Sequence, residues 1–254
     1  NRFLDLIADG DLATGAELPD TIENWRYGLI WAADSKSFLY TDADEHWRSK
    51  AVWHHRLGDP QSADREIYRE QDPQFTVSLN RTQSRRFAIL STGDHATNEI
   101  RLLPLADFSA EPLLVSPRLT DRLYDLDERE GTLYIRTNDT HLNFRVVTAP
   151  ASAPAQWTEI IPGSDRHYIL GLTSFENLMV IEERIDGLSQ IRLRDYADGA
   201  EHYIPFPEAS FVASLGGNRE YRVDRLRLNY QSMVTPNTVY DYHLADGRLE
   251  TLKV

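Results

Sequence analysis

The stretch "RRFAILSTGDHATNEIRLLPLADFSAEPLLV", residues 85–115, decides the fold. It contains three short runs rich in β-branched and large apolar residues, Arg86–Leu90, Glu99–Leu103 and Pro112–Val115. Gly, Asp, Asn and Pro separate the runs, and these are the residues that favour turns. A fourth run, Phe75–Leu79, precedes the first. The pattern predicts four consecutive short β-strands.

The same four-run pattern recurs along the chain. The third run of each set begins at a similar interval, because its first apolar residue falls at Val52, Ile100, Phe144, Ile191 and Val239, with spacings of 48, 44, 47 and 48. Four strands in a repeat of about 45 residues is the pattern of a β-propeller blade. A barrel or a sandwich also has short strands, but it does not predict this fourfold recurrence.

We therefore predict an all-β chain that forms a β-propeller of four-stranded antiparallel blades. Residues 1–22 are predicted to be the end of a partial blade, with a hairpin over residues 11–18. The charged segment 121–129 is predicted to be a strand and not a helix, because Tyr124 and Leu126 alternate with polar residues. Five complete blades are predicted at residues 23–72, 73–120, 121–166, 167–207 and 208–254.

Composition limits the possible functions. The chain has 254 residues and a formal net charge of −13, which disfavours nucleic acid and anionic membranes as partners. It has no cysteine, which excludes thiolate catalysis and cysteine-ligated metals and suits a cytoplasmic location. No apolar run reaches the roughly 20 residues of a membrane-spanning helix.

Motifs for nucleophilic, phosphate or metal chemistry are weak. Gly187-Leu-Ser-Gln-Ile differs from the serine elbow Gly-x-Ser-x-Gly at its last position, so Ser189 is predicted to be a turn residue. Gly216-Gly-Asn is predicted to be a hairpin turn and not a phosphate loop. His54 and His55 are consecutive in a predicted strand, so their rings should point to opposite faces and cannot share a metal ion.

Pairs of acidic residues allow one weak interpretation, a carbohydrate-active propeller. Asp42, Asp44 and Glu45 follow one predicted strand, and Glu182 and Glu183 follow another apolar run. Charged residues in such places are usually solvated loop residues. Accordingly, we predict no catalytic, cofactor-binding or metal-binding residue and no cofactor.

Four segments resemble the oligopeptidase B (protease II) group of the prolyl oligopeptidase family of serine peptidases. They are "WAADSKSFLYT" (31–41), residues 52–90, "LMVIEERIDGLSQIRL" (178–193) and "LRLNYQSMVTPNTVYDYHLADGRLETLKV" (226–254). The most specific parts are "SMVTPNT" and "VIEER-DGL". The resemblance runs in order from about Phe3 to Val254.

The resemblance implies a truncated seven-bladed propeller that covers the active site of a C-terminal α/β-hydrolase domain in the same polypeptide. Proteins of this group cleave short peptides after Arg or Lys, and the propeller keeps folded proteins out. The catalytic triad and the acidic groups that bind the basic side chain belong to the hydrolase domain. That domain follows the position matching Val254, so none of those residues has a counterpart here. The chain alone is expected not to be an enzyme.

A second interpretation is a self-standing propeller that binds a protein or peptide partner. A truncated propeller leaves an edge strand near residues 23–31 and a blade face around Leu29 and Trp31 without neighbours, which favours self-association. Short basic peptides suit the acidic surface, although an acidic charge is also common in proteins without such ligands.

Overall fold

The computed structural model describes residues 20–254, apart from the side chain of Arg26. Most of the predicted partial blade at residues 1–22, including its hairpin, lies outside the described residues. The described residues contain twenty strands and one short 3-10 turn, Gln61–Ala63. They contain no helix of the length and apolarity needed to cross a lipid bilayer. The predicted all-β fold with four strands per repeat is confirmed.

The strands form five four-stranded antiparallel sheets, each paired in chain order. Sheet one comprises β1 (Trp25–Trp31), β2 (Ser37–Ala43), β3 (Ser49–Arg56) and β4 (Arg65–Arg69). Sheet two comprises β5 (Thr76–Arg81), β6 (Phe87–Gly93), β7 (Asn98–Pro104) and β8 (Leu113–Ser116). Sheet three comprises β9 (Tyr124–Arg129), β10 (Thr132–Thr137), β11 (Arg145–Pro150) and β12 (Thr158–Ile161). Sheet four comprises β13 (His167–Ser174), β14 (Leu178–Ile185), β15 (Leu188–Asp195) and β16 (Glu201–Tyr203). Sheet five comprises β17 (Phe211–Leu215), β18 (Arg225–Ser232), β19 (Thr238–His243) and β20 (Leu249–Lys253).

Antiparallel pairing in chain order gives every sheet two distinct ends. At one end the second strand leads into the third, and the fourth strand leaves the sheet; we call this the 2–3 end. At the other, the 1–2 end, the first strand turns into the second and the third turns into the fourth. The register of sheet five illustrates the 2–3 end, where Phe211 lies opposite Ser232, and Val239 lies opposite Lys253.

The chain divides into two compact units, Asn1–Arg122 and Leu123–Val254. In the first unit, sheets one and two pack face to face through a core that includes Ile30, Leu39, Val77 and Leu90. The other face of sheet one carries a separate cluster of Ile22, Phe38 and Tyr40, with Trp25, Leu29, Trp31 and Trp53 packed against it. Both faces of sheet one therefore bury apolar side chains.

The second unit contains sheets three, four and five. Phe144 and Val146 of the third repeat pack with Ile169 and Met179 of the fourth. Sheets four and five share a larger core, which includes Val180 and Ile191 on one side and Leu226 and Leu228 on the other. Packing on both sides explains why β14 carries four consecutive buried residues, Leu178–Ile181, instead of an alternating pattern.

The structure differs from the sequence prediction at Phe144 and at Gly216–Asn218. The sequence predicts that Phe144 lies in a strand, but β11 begins at Arg145, and Phe144 has a positive φ of 67°. Its ring is buried, so the chain turns here to direct that ring into the core. Gly216–Asn218 does not form a tight hairpin but begins a longer connection from β17 to β18. Asn218 stabilises that connection with two hydrogen bonds of 2.8 Å. Its Nδ2 donates to the carbonyl of Arg227, and its Oδ1 accepts from the N–H of Arg227.

Candidate functional site

Ser189, the residue nearest to a serine-elbow motif, lies inside a strand, so the prediction that it is a turn residue is wrong. It is the second residue of β15, it is buried, and it pairs with Arg184 on β14. A nucleophilic serine needs an exposed hydroxyl at a sharp strand-to-helix turn. The position of Ser189 does not provide one.

His54 and His55 point to opposite faces of β3, as predicted. The ring of His54 packs edge-on against Phe108, with 5.4 Å between ring centroids. His55 is fully buried, with Nδ1 2.7 Å from Asp64 Oδ1 and Nε2 3.1 Å from Asp20 Oδ1. The described residues contain no group of three or more His, Cys, Asp or Glu side chains arranged to bind a metal ion.

The buried His55 cluster continues through hydrogen bonds to neighbouring residues. Asp64 Oδ2 accepts a hydrogen bond of 2.7 Å from the Tyr40 hydroxyl, and burial beside this carboxylate raises the pKa of Tyr40. Asp20 also accepts a hydrogen bond from the Gly58 N–H. Burial raises the pKa of Asp20, but the hydrogen bonds from Gly58 and His55 outweigh it, so that the pKa is lowered. The cluster ties the segment before β1 to sheet one and contains no exposed nucleophile.

The carboxylates of Asp42, Asp44 and Glu45 do not form a pair for acid–base chemistry. Asp42 accepts hydrogen bonds from the Ala51 N–H and from Trp53 Nε1, both at 3.0 Å. Asp44 accepts hydrogen bonds from two backbone N–H groups of its own turn, which contribute to lowering its pKa. Glu45 is exposed. These residues organise the connection between β2 and β3.

The side chains of Glu182 and Glu183 point to opposite faces of the sheet, because the two residues are consecutive in β14. Glu183 is fully buried, and it contacts the guanidinium of Arg192 at 3.0 Å and accepts a hydrogen bond from the Tyr203 hydroxyl at 3.1 Å. Glu182 accepts a hydrogen bond of 2.9 Å from the Leu215 N–H. Burial raises the pKa of Glu182, and the Leu215 hydrogen bond opposes this only in part.

The first strands of sheets two and three carry solvent-facing residues that no sequence motif marks. On β5, Thr76, Ser78 and Asn80 are exposed and alternate with buried Val77 and Leu79. On β9, the side chain of Asp125 keeps 45% of its surface exposed and forms an ion pair with Arg136, with Nη2 2.5 Å from Oδ2. The surrounding protein raises the pKa of Asp125, although Arg136 opposes this.

The Asp125–Arg136 pair is held in place from the neighbouring sheet. Arg136 Nη1 donates a hydrogen bond of 2.9 Å to the carbonyl of Ile169 on β13. Its guanidinium also lies 3.9 Å from the ring centroid of Phe144. Alternating strand positions place Asp125 on the solvent side, but nothing in a single sequence distinguishes it from other strand acids.

A comparison with known protein families decides what these sheets are. Residues 7–254 match the model of the prolyl oligopeptidase N-terminal β-propeller domain. The chain belongs to the prolyl oligopeptidase family. Its five four-stranded sheets are propeller blades.

Two curated members of the prolyl oligopeptidase family are similar over almost the whole chain. Dipeptidyl aminopeptidase BI of Pseudoxanthomonas mexicana is 33% identical over 247 residues, covering 96% of this chain and 34% of that protein. Protease 2 of Moraxella lacunata is 30% identical over 247 residues, covering 96% of this chain and 35% of that protein. The chain thus spans about a third of the length of these relatives.

Solved structures of the prolyl oligopeptidase family superpose closely on the chain. Oligopeptidase B from Trypanosoma brucei, in a closed form with covalently bound antipain, gives a TM-score of 0.87 at 29% identity, over 93% of this chain and 35% of that one. Oligopeptidase B from Leishmania major gives a TM-score of 0.89 at 25% identity, over 96% of this chain and 36% of that one. The resemblance to the oligopeptidase B group is confirmed.

Proposed function

We propose that this chain is the non-catalytic, substrate-selecting propeller domain of an oligopeptidase B-like serine peptidase that cleaves short peptides after Arg or Lys. The attached partner is a C-terminal α/β-hydrolase domain that carries the nucleophile. The observation that supports this most strongly is the match of residues 7–254 to the family's propeller, together with the close superposition on two oligopeptidase B structures. A cytoplasmic location remains a prediction.

Charge supports a preference for basic peptides. The net charge of −13 attracts cations over a distance that salt shortens to about 8–10 Å at physiological ionic strength. Basic peptides would therefore concentrate near the domain and associate faster. This effect changes the rate of encounter and not the choice of the cleaved bond, which the hydrolase domain determines.

The test of this function uses the full-length protein and a graded set of substrates. A short peptide with one Arg, a longer peptide containing the same bond and a folded protein with an exposed Arg loop are compared by kcat/KM. We expect efficient cleavage of the short peptide and at least a tenfold lower value for the folded protein. Equal cleavage of all three would exclude size selection by the propeller.

The isolated 254-residue chain serves as the control for catalysis. We expect no hydrolysis of an Arg-containing chromogenic peptide by the purified chain. Hydrolysis that persists through stringent purification and follows the chain quantitatively would contradict a non-catalytic role.

A second candidate function follows from the name of one relative. A protein called dipeptidyl aminopeptidase BI is 33% identical to this chain, which favours removal of dipeptides from free N-termini as the alternative. Substrates with free and with acetylated N-termini distinguish the two activities in the full-length protein. Cleavage that requires the free amino group would replace the endopeptidase proposal by the dipeptidyl aminopeptidase one.

A further inference from the structure

A cavity of about 230 Å³ lies between sheets one and two at their 1–2 ends. Its walls come from the turn between β1 and β2, the end of β3 and the connection from β7 to β8. The N–H of Ala33 donates a hydrogen bond of 2.8 Å to the carbonyl of Leu105, which joins the turn of sheet one to the connection of sheet two. The volume is below the roughly 300–1,000 Å³ of a pocket for a drug-sized molecule, so the cavity suits a smaller ligand.

Two neighbouring cations on the wall of this cavity have no carboxylate partner. Lys36 and Arg56 are both exposed, and within residues 20–254 neither side chain forms an ion pair with another residue. Their backbones are adjacent, because Ser37 pairs with Arg56, and the N–H of Leu57 donates to the carbonyl of Lys36 at 3.1 Å. Like charges at adjacent positions repel each other, and a bound anion relieves this repulsion.

His54 contributes a third group to the cavity wall. Its ring nitrogen Nε2 is buried and has no hydrogen-bond partner among the described residues. The ring packs edge-on against Phe108, which also lines the cavity. Burial lowers the pKa of His54, and the charges of Arg65 and Arg56 lower it further. A buried nitrogen without a partner costs free energy, and a ligand that supplies an oxygen for a hydrogen bond removes this cost.

The two carboxylates on the cavity wall are engaged by their own turns. Asp34 Oδ1 accepts a hydrogen bond of 2.9 Å from the N–H of Lys36. Asp107 Oδ1 accepts hydrogen bonds from the N–H and the hydroxyl of Ser109, at 2.8 and 2.5 Å. The guanidinium of Arg65 adds a third positive charge, because it donates a hydrogen bond to a carbonyl on the same wall. The positive charges at the cavity therefore outnumber the negative ones, in a chain with a net charge of −13.

We propose that this cavity is a binding site for the phosphate group of a small molecule, held by Lys36, Arg56 and His54. A planar guanidinium and a compact ammonium are side chains that proteins use to bind phosphate, and a neutral imidazole can donate one further hydrogen bond. A phosphate monoester carries about −1.5 to −2 charges at pH 7 and can neutralise both unpaired cations, whereas a carboxylate can neutralise only one. Because all three residues lie in sheet one or its first turn, the site does not depend on the proposed peptidase function.

Calorimetric titration of the full-length protein with inorganic phosphate tests this site. Glycerol phosphate, as a small monoester, and acetate are titrated in parallel, with chloride keeping the ionic strength constant. We expect saturable binding of at least one phosphate compound, with a Kd in the millimolar range or below. Acetate should bind at least tenfold more weakly. The tighter of the two phosphate compounds shows whether the free ion or an ester is the preferred ligand.

Variants that remove single cations locate the binding. Arg56→Gln and Lys36→Gln each remove an exposed charge from the cavity, and each should weaken phosphate binding at least tenfold. Arg184→Gln is the matched control, because Arg184 on β14 is also exposed and, among the described residues, also has no ion pair. It should leave the affinity unchanged. His54→Phe keeps an aromatic ring against Phe108 but removes the ring nitrogens, and it should weaken binding at least threefold.

Three results would overturn the proposal. The absence of saturable binding by both phosphate compounds means that the cavity is not a phosphate site. An equal loss of affinity in Arg184→Gln and Arg56→Gln means that the attraction is general and not local. Acetate binding as tight as phosphate binding means that the site does not select a doubly charged anion. The urea unfolding midpoint of each variant is measured separately, so a loss of binding is distinguished from a loss of folding.

Discussion

His55 Nδ1 lies 2.7 Å from Oδ1 of Asp64, and both side chains are almost completely removed from solvent. The other ring nitrogen faces Asp20 at 3.1 Å. The His55 ring is the shared partner of two buried carboxyl groups, and its removal leaves both of them without this contact.

We therefore expect His55→Ala to destabilise the domain strongly. Leaving a buried polar group without its hydrogen-bond partner typically costs about 1–3 kcal/mol, and two carboxyl groups lose a partner here. The free energy of unfolding from urea titration measures the effect. His46→Ala is the control, since that side chain is mostly exposed, and it should change stability by less than about 0.5 kcal/mol. Similar losses for the two variants would contradict the structural role of the cluster.

A second prediction concerns the close contact between β1 and β5. Gly28 has a φ of +74°, and a Cβ atom placed on it would lie 2.9 Å from both Cβ and the carbonyl oxygen of Leu79. Gly28→Ala therefore adds a steric clash to the strain of a left-handed residue. Gly58 has a φ of +87° and has nothing within 4 Å of its Cβ position, so Gly58→Ala isolates the strain.

The two alanine variants should differ in stability. We expect a loss of about 1–2 kcal/mol for Gly58→Ala from the backbone conformation alone. Gly28→Ala should lose a further 1–3 kcal/mol, roughly the cost of overpacking a core. Thermal or urea unfolding of both variants under the same conditions measures the difference. Equal losses would show that β1 and β5 separate readily at this point.

The sequence predicts the architecture of this domain well because blade strands are local and periodic. In four of the five repeats the third run lies within an observed strand, as Glu99–Leu103 lies within β7. The recurrence of four strands therefore predicts the fold without knowledge of any long-range contact. Phe144 is an exception, because its burial depends on a local turn and on the guanidinium of Arg136 above its ring. The periodicity of the sequence alone cannot predict such a contact.

The site-level features are less accessible from the sequence. Residues 232–238 are a specific part of the family resemblance, but the structure of the turn depends on Glu208, more than twenty residues earlier in the chain. Similarly, the environment of Asp125 depends on Ile169 of the next sheet, which binds Arg136. Hydrogen bonds that join separate repeats carry no signature in local residue patterns.

A third prediction is a pH dependence that originates at Glu182. Burial raises the pKa of this carboxyl above its ordinary value of 4.5, so the folded state holds the proton more tightly than the unfolded state. Below the ordinary pKa both states are protonated, and Glu182 imposes no ionisation cost. As the pH rises above it, ionisation favours the unfolded state, and stability is lost until the folded carboxyl has also ionised.

Glu182→Gln should therefore stabilise the domain increasingly as the pH rises above about 4.5. The Gln side-chain oxygen can still accept the hydrogen bond from Leu215. Glu176→Gln should show the opposite sign, because the hydrogen bonds from Arg222 lower the pKa of Glu176. That variant should be less stable than the unaltered chain at neutral pH, and the difference should shrink in acid. Urea titrations over a range of pH measure both, and parallel curves for the two variants would contradict this assignment.

The last prediction concerns the face of sheet one that points away from sheet two. Leu29 and Trp31 lie on this face and are half-buried, while Ile30 between them faces the core shared with sheet two. Within residues 20–254, no other sheet of its unit packs against this face. We expect the isolated 254-residue chain to self-associate through it, since an apolar blade face next to an edge strand favours pairing with a second copy.

Size-exclusion chromatography with light scattering should give a mass above that of the monomer that rises with concentration. Leu29→Glu should return the chain to a monomer, whereas Leu113→Glu, which changes an exposed apolar side chain elsewhere in the same unit, should not. A stable monomer at every concentration would instead favour a propeller that functions alone.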